Sequence, residues 1–200
     1  MRVAREEIEW CDVWIPAVES GSDRPYILLV GDSIASNYYP LVCGQLEGVV
    51  NCAKLATSAC VADPAFHKQL DATVGEYTFS LIHFNNGLHG VGYTEEEYRA
   101  GYKTALQWIE RQSPETELVL ALSTPLLETS DKNHLNARVD ERNRIVRALA
   151  EERGAAVNDL HALSKGCPEH YKDPYHFKAE AIELQARQVG NAIKARVPDL

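Results

Sequence analysis

Ser33 lies in Gly31-Asp32-Ser33-Ile34-Ala35, directly after the apolar run Tyr26-Ile27-Leu28-Leu29-Val30. A serine hydroxyl is a poor nucleophile at neutral pH and needs a general base within hydrogen-bond reach. Near the far end of the chain, Asp173-Pro174-Tyr175-His176 offers one. An Asp three residues before a His, in a turn, can accept a bond from one imidazole nitrogen and leave the other free to take the serine proton. Pro174 biases Asp173 towards an extended conformation and helps to hold that turn. Asn85 closes another apolar run, over 79–84, where its side-chain amide can donate to a developing oxyanion. At the start of a helix, the Ser33 N–H would point outward with the positive end of the helix dipole and could join it.

These residues are far apart in sequence, so the fold must gather them. Apolar runs over 25–30, 79–84 and 117–122 suit strands buried on both faces, as in a parallel sheet. Further strands are predicted over 49–55 and 156–158. Helical patterns alternate with them. Thr94-Glu95-Glu96-Glu97 reads as a capped helix start that runs on through Ile109. A second helix covers 136–153, with Gly154 as its stop. A third follows His176 and reaches about Arg196, with Ile182, Val189 and Ile193 on one face. The alternation predicts a three-layer α/β/α sandwich around a mostly parallel five-stranded sheet. Ligands bind such sheets at the C-terminal ends of the strands, where Ser33 and Asn85 fall. One domain spanning 1–200 is expected, with 1–24 as an irregular extension packed on it.

Taken together, Gly31-Asp32-Ser33, Asn85 and Asp173-x-x-His176 resemble the sequence blocks of the SGNH hydrolases, also called GDSL esterases, in the family's order. The resemblance implies a flavodoxin-like fold and ester hydrolysis through an acyl-Ser33, with Asp173 and His176 completing a triad and no cofactor. It also implies an oxyanion hole made by the Ser33 N–H, Asn85 and a donor from the second block. Two departures stand out. The third block usually reads Gly-x-Asn-Asp and here reads His83-Phe84-Asn85-Asn86. The second block usually supplies a Gly N–H, yet the stretch 57–64 holds no Gly; Ala62 is the match, with Ser58 as the alternative.

Asp32, Asn86, His89 and Tyr175 flank these blocks and are the candidates for lining the substrate pocket. Trp10 and Trp14 offer flat surfaces to a sugar or to the core. Cys167, His170, Asp173 and His176 are all zinc-binding types. Their spacing is no finger pattern, and a metal there would leave Ser33 and Asn85 unexplained, so no metal is expected.

The bulk properties narrow the class. The chain has 200 residues and a formal net charge of -9, which argues against phosphate-backbone binding and hence against a nucleic-acid partner. No apolar run is long enough to span a membrane. Cys11, Cys43, Cys52, Cys60 and Cys167 form no CxxC pair and read as free thiols, and 1–7 lack the apolar run of a signal peptide, which together suggest a cytoplasmic protein. The chain lacks a long apolar lid segment. The expected substrate is therefore a small-molecule ester with a small acyl group, acetyl first, on a carbohydrate. A lysophospholipase or thioesterase, an acyltransferase and a catalytically weak carbohydrate-binding protein of the same fold are the alternatives.

Overall fold

The computed structural model describes residues 3–17, 23–128 and 135–197. Its strands are β1 (Cys11–Trp14), β2 (Tyr26–Gly31), β3 (Asn51–Thr57), β4 (Leu81–Phe84), β5 (Glu117–Ala121) and β6 (Ala156–Asn158). Its helices are α1 (Ser33–Gln45), α2 (Pro64–Val74), α3 (Glu95–Gln112), α4 (Asn136–Glu151), α5 (Leu160–Ser164) and α6 (Ala179–Lys194), and a 3-10 turn covers Pro168–His170. The strands form one sheet in the order β1-β3-β2-β4-β5-β6. All neighbouring pairs from β3 to β6 are parallel. Among the described residues no helix is long and apolar enough to cross a membrane.

The apolar run of β2 shows why this arrangement forms. Successive side chains of a strand point to opposite faces. Ile27 and Leu29 join the core built with Ile34, Tyr38 and Val42 of α1 and Val189 and Ile193 of α6. Leu28 and Val30 join the opposite core, with Phe66 of α2, Tyr98, Tyr102 and Ile109 of α3 and Leu149 of α4. Each face of the sheet is thus covered by helices, as a run without polar alternation requires. The chain leaves β2 towards β3 on one side and returns to β4 on the other. That reversal opens a crevice at the C-terminal ends of β2, β3 and β4.

The expected helix start at Thr94 is present as a full capping box, in which Thr94 Oγ1 accepts from Glu97 N and the Glu97 carboxylate accepts from Thr94 N. Two expectations need correction. The sheet has six strands where five were expected. The extra one is β1, inside the supposedly irregular extension. It runs antiparallel to β3, with Cys11 opposite Thr57 and Trp14 opposite Lys54. All four of its residues are exposed, so no buried apolar pattern announces it. Helix α2 was not foreseen either. Asp63 caps it by accepting from Ala65 N at 2.7 Å, and Pro64 occupies its first turn.

Gly31 ends β2 where α1 folds back on it. A Cβ at this position would lie 2.4 Å from Ala35 Cβ. Gly31→Ala is therefore expected to destabilise the fold by about 1–3 kcal/mol, as overpacking does, and the urea midpoint would show it. An unchanged midpoint would mean that α1 can shift freely.

Candidate active site

Asp32 and Ser33 form the junction between β2 and α1. Asp32 is the N-cap, with Oδ1 accepting from Ile34 N at 2.9 Å and its carbonyl accepting from Ser36 N at 3.0 Å. The Asp32 side chain is buried, so it shapes the turn and does not line an open pocket as expected from the sequence. Ser33 is the first helical residue, and its Oγ lies 2.9 Å from His176 Nε2. The other imidazole nitrogen, His176 Nδ1, lies 2.9 Å from Asp173 Oδ2 and 3.0 Å from Oδ1. A hydroxyl, an imidazole and a carboxylate are thereby bonded in series, from residues 143 positions apart.

Local bonds set the loop that carries the last two. Asp173 Oδ1 accepts from Tyr175 N at 2.9 Å and from His176 N at 2.8 Å. Partial burial pushes the Asp173 carboxyl up, but these two amides and the imidazole outweigh it and hold the group below its ordinary value. The base of the loop is a small ladder. Lys172 N donates to His176 O and Lys178 N to His170 O, both at 2.8 Å, and Tyr171 bridges Phe177. The loop is tied to the strand ends by Tyr171 Oη, which donates to Pro125 O at 2.8 Å, and by Leu127 N, which donates to Pro174 O at 3.0 Å.

Asn85 follows β4, beside the crevice. Its N–H donates to Val30 O at 3.0 Å. Its Nδ2 donates to Ala121 O at 2.9 Å and, at a longer 3.4 Å, to Ser123 Oγ. One amide hydrogen is thus well held and the other only weakly held, which leaves it available for a better acceptor. Asn86, expected to meet substrate, is turned away from the cleft. Its Oδ1 accepts from Val61 N at 3.1 Å and its Nδ2 donates to Ala59 O at 2.9 Å, so it clamps the loop after β3.

Ala62 is buried in the loop after β3 and lines a cavity against Tyr93 and Gly101 of the α3 side. Four amides of this loop are taken. Ser58 N donates to Trp10 O, Ala59 N to Thr57 Oγ1, Val61 N to Asn86 Oδ1 and Asp63 N to Cys60 O. Among the described residues, the N–H groups of Cys60 and Ala62 are the two in 58–63 that donate to no protein oxygen. Ser58, the alternative donor, uses its hydroxyl to accept from Trp10 N at 2.9 Å and to donate to Glu9 Oε2 at 3.0 Å.

Glu6 and Glu9, which sequence reasoning missed, form a wall together with Trp10, which it offered as a flat surface for a sugar or for the core. The segment before β1 lies against the loops after β3 and β4. Glu6 Oε2 lies 3.0 Å from His89 Nδ1, Glu6 Oε1 accepts from Gly90 N at 3.1 Å, and the Trp10 ring meets His89 edge-on at 6.3 Å. Burial pushes the His89 imidazole down. The bond to Glu6 and the charges of Asp32, Glu6 and Glu9 overcome this and raise it above its ordinary value. Tyr175 lines a small cavity with Gly87, Leu88, Arg138 and Arg142.

Those two arginines, four residues apart on α4, hold the loop after β4. Arg142 is buried and donates to Gly87 O at 2.9 Å, His89 O at 2.6 Å, Gly90 O at 3.0 Å and Glu95 Oε2 at 2.9 Å, with its guanidinium 4.7 Å from the Tyr98 ring centre. Arg138 donates to Val91 O, Tyr93 O and Glu95 Oε1. A larger cavity of about 290 Å³ lies between α2 and α3, lined by His67, Asp71 and Trp108, and none of the triad candidates borders it.

No protein-family model matches the chain, and no curated protein matches it in sequence. Solved structures do. A carbohydrate esterase family 3 protein from Talaromyces cellulolyticus superposes with a TM-score of 0.73 at 13% identity, over 88% of this chain and 99% of that one. A GDSL-like lipase from Bacteroides thetaiotaomicron gives 0.72 at 12% identity, over 86% and 89%. An acetyl-xylooligosaccharide esterase mutant from Geobacillus gives 0.67 at 15% identity, over 84% and 94%. With a mostly parallel sheet between two helical layers and this set of structural matches, the chain has the fold of the GDSL-like lipases and carbohydrate esterases, the fold that its sequence blocks imply.

Proposed function

We propose that the chain is a serine esterase that hydrolyses a small acyl ester, acetyl in the first place, carried on a carbohydrate. The observation that supports this most is the series of bonds Ser33 Oγ, His176 Nε2, His176 Nδ1, Asp173. The Ser33 hydroxyl donates to Nε2, and the proton moves to the imidazole as Oγ attacks the ester carbonyl. Asp173 fixes the tautomer and stabilises the imidazolium. The oxyanion accepts from the Ser33 N–H, from the loosely held Asn85 hydrogen and from an N–H of the loop after β3, that of Ala62 or of Cys60. His176 then protonates the leaving alcohol. The same imidazole takes a proton from water, which attacks the acyl-serine and releases the acid.

A small acyl group is favoured by the similar folds of an acetyl-xylooligosaccharide esterase and an acetyl xylan esterase. The void bordered by Ile34, Ala35, Asn85 and Leu88, next to Ser33 in the chain though not lined by it, holds only about 10 Å³, the room of one water, and gives no space for a fatty chain.

The direct test is a series of nitrophenyl esters of rising chain length, followed by acetylated xylo-oligosaccharides. Acetate is expected to be cleaved fastest, with a fall in kcat/KM at each lengthening. Preference for long acyl chains would favour the lysophospholipase or thioesterase reading, and no turnover of any ester would refute the proposal. Within it, Asn85→Ala is expected to lower kcat by about 100- to 1000-fold, the usual loss of an oxyanion donor, with KM little changed. Full activity in that variant would remove Asn85 from the reaction.

A further inference from the structure

Four residues near the C-terminus had the side chains of a zinc site, and the structure divides them. Asp173 and His176 turn to Ser33. Cys167 and His170 stay on the other side of the loop base and meet Glu169. One ligand atom from each of Cys167, Glu169 and His170 lies within 4.8 Å of the other two. We propose that these three residues form a binding site for a thiophilic divalent cation, Zn²⁺ in particular, at the foot of the loop that carries Asp173 and His176.

The local backbone explains the gathering. Gly166 takes φ +77, a left-handed turn that reverses the chain. Pro168 then opens a 3-10 turn through His170, with Cys167 as its N-cap. In a 3-10 turn side chains three apart eclipse one another, so Cys167 and His170 project to the same side with Glu169 between them. Among the described residues, the ligand atoms are nearly free of protein partners. Cys167 Sγ has only a 3.8 Å contact to Lys165 O, and His170 Nε2 lies 3.9 Å from Glu169 Oε1. The Lys178 ammonium bonds to the Glu169 backbone carbonyl and leaves the carboxylate oxygens open.

Ligand atoms of a tetrahedral zinc lie roughly 3.3–3.7 Å apart. The present separations, within 4.8 Å, must shorten on binding, and rotation of the three side chains is the adjustment the proposal requires. On binding, the Cys167 thiol loses its proton to solvent and the thiolate, the imidazole and one carboxylate oxygen displace water from the ion. The fourth position is filled by water or by Glu128, which lines a small cavity together with Cys167. A cation here would staple the start of the ladder in which His170 O accepts from Lys178 N, and so stiffen the loop without touching substrate.

The test uses Co²⁺ as a spectroscopic stand-in for Zn²⁺, and then Zn²⁺ itself by calorimetry, on the full chain. One ion per chain is expected, with a thiolate-to-cobalt charge-transfer band and a rise in melting temperature. Removing an outer partner of a bound zinc weakens it by about 10- to 100-fold, so Cys167→Ser and His170→Gln, which delete ligands, are each expected to cost at least as much. Glu169→Gln is expected to weaken binding in the same direction. Ser33→Ala and Cys43→Ser should bind as wild type. The absence of a band would overturn the proposal, as would its survival in Cys167→Ser or its loss in His176→Gln. None of these readouts depends on ester hydrolysis, so the site stands or falls apart from the proposed activity.

Discussion

His176→Ala is expected to lower kcat for a short nitrophenyl ester by about 10,000- to 1,000,000-fold, the scale at which a serine nucleophile or its base is lost elsewhere. Ser33→Ala should do the same. The double variant should be no worse than either single one, because the two groups act as a unit and removing one already disables the other. His176 is half-buried in a loop whose bonds are made by backbone atoms, by the Asp173 carboxylate and by Tyr171, so its replacement should leave melting and near-UV dichroism unchanged. Single-turnover kinetics on folded variants would decide the matter. Losses of only a few-fold, or losses that multiply in the double variant, would mean that the 2.9 Å contact between Ser33 and His176 has no catalytic part.

Arg142→Ala carries the largest expected effect on stability. The guanidinium is buried and holds three loop carbonyls and Glu95 at once. Removing one partner of a buried, hydrogen-bonded charge costs about 3–5 kcal/mol, largely because the groups left behind stay desolvated and unpaired. The urea midpoint should fall accordingly. KM should rise as well, since the released loop carries His89 and borders the cleft. Arg144→Ala, on the exposed side of the same helix and paired with Glu141, should leave the midpoint where it is. Equal midpoints in the two variants would show that Arg142 does not clamp the loop.

The parts of the molecule that were legible in the sequence are those governed by near neighbours. The apolar run of β2 needs cover on both faces, and that alone implies the layered sheet. The Asp173-x-x-His176 turn forms its own bonds within four residues, so its geometry is local. The unread parts depend on distant contacts. Strand β1 is exposed along its length and exists because β3 offers an edge. Arg138 and Arg142 look like surface residues of a polar helix until Glu95 and the loop after β4, about fifty positions earlier, are folded against them. Ala62 was chosen for its place in the chain, but which amides of 58–63 are taken depends on Trp10, Thr57, Asn86 and the Cys60 carbonyl, none of which has a spacing rule.

The segment that ends in β1 has two tasks of different kinds. Its Cys11–Trp14 stretch covers the margin of the sheet, which would otherwise present β3 as a template for other chains. Its Glu6, Glu9 and Trp10 hold the loops after β3 and β4 through His89 and Ser58. Protection of the sheet edge and placement of two loops are thereby written into the same dozen or so positions. An alteration made there for one purpose is felt in the other.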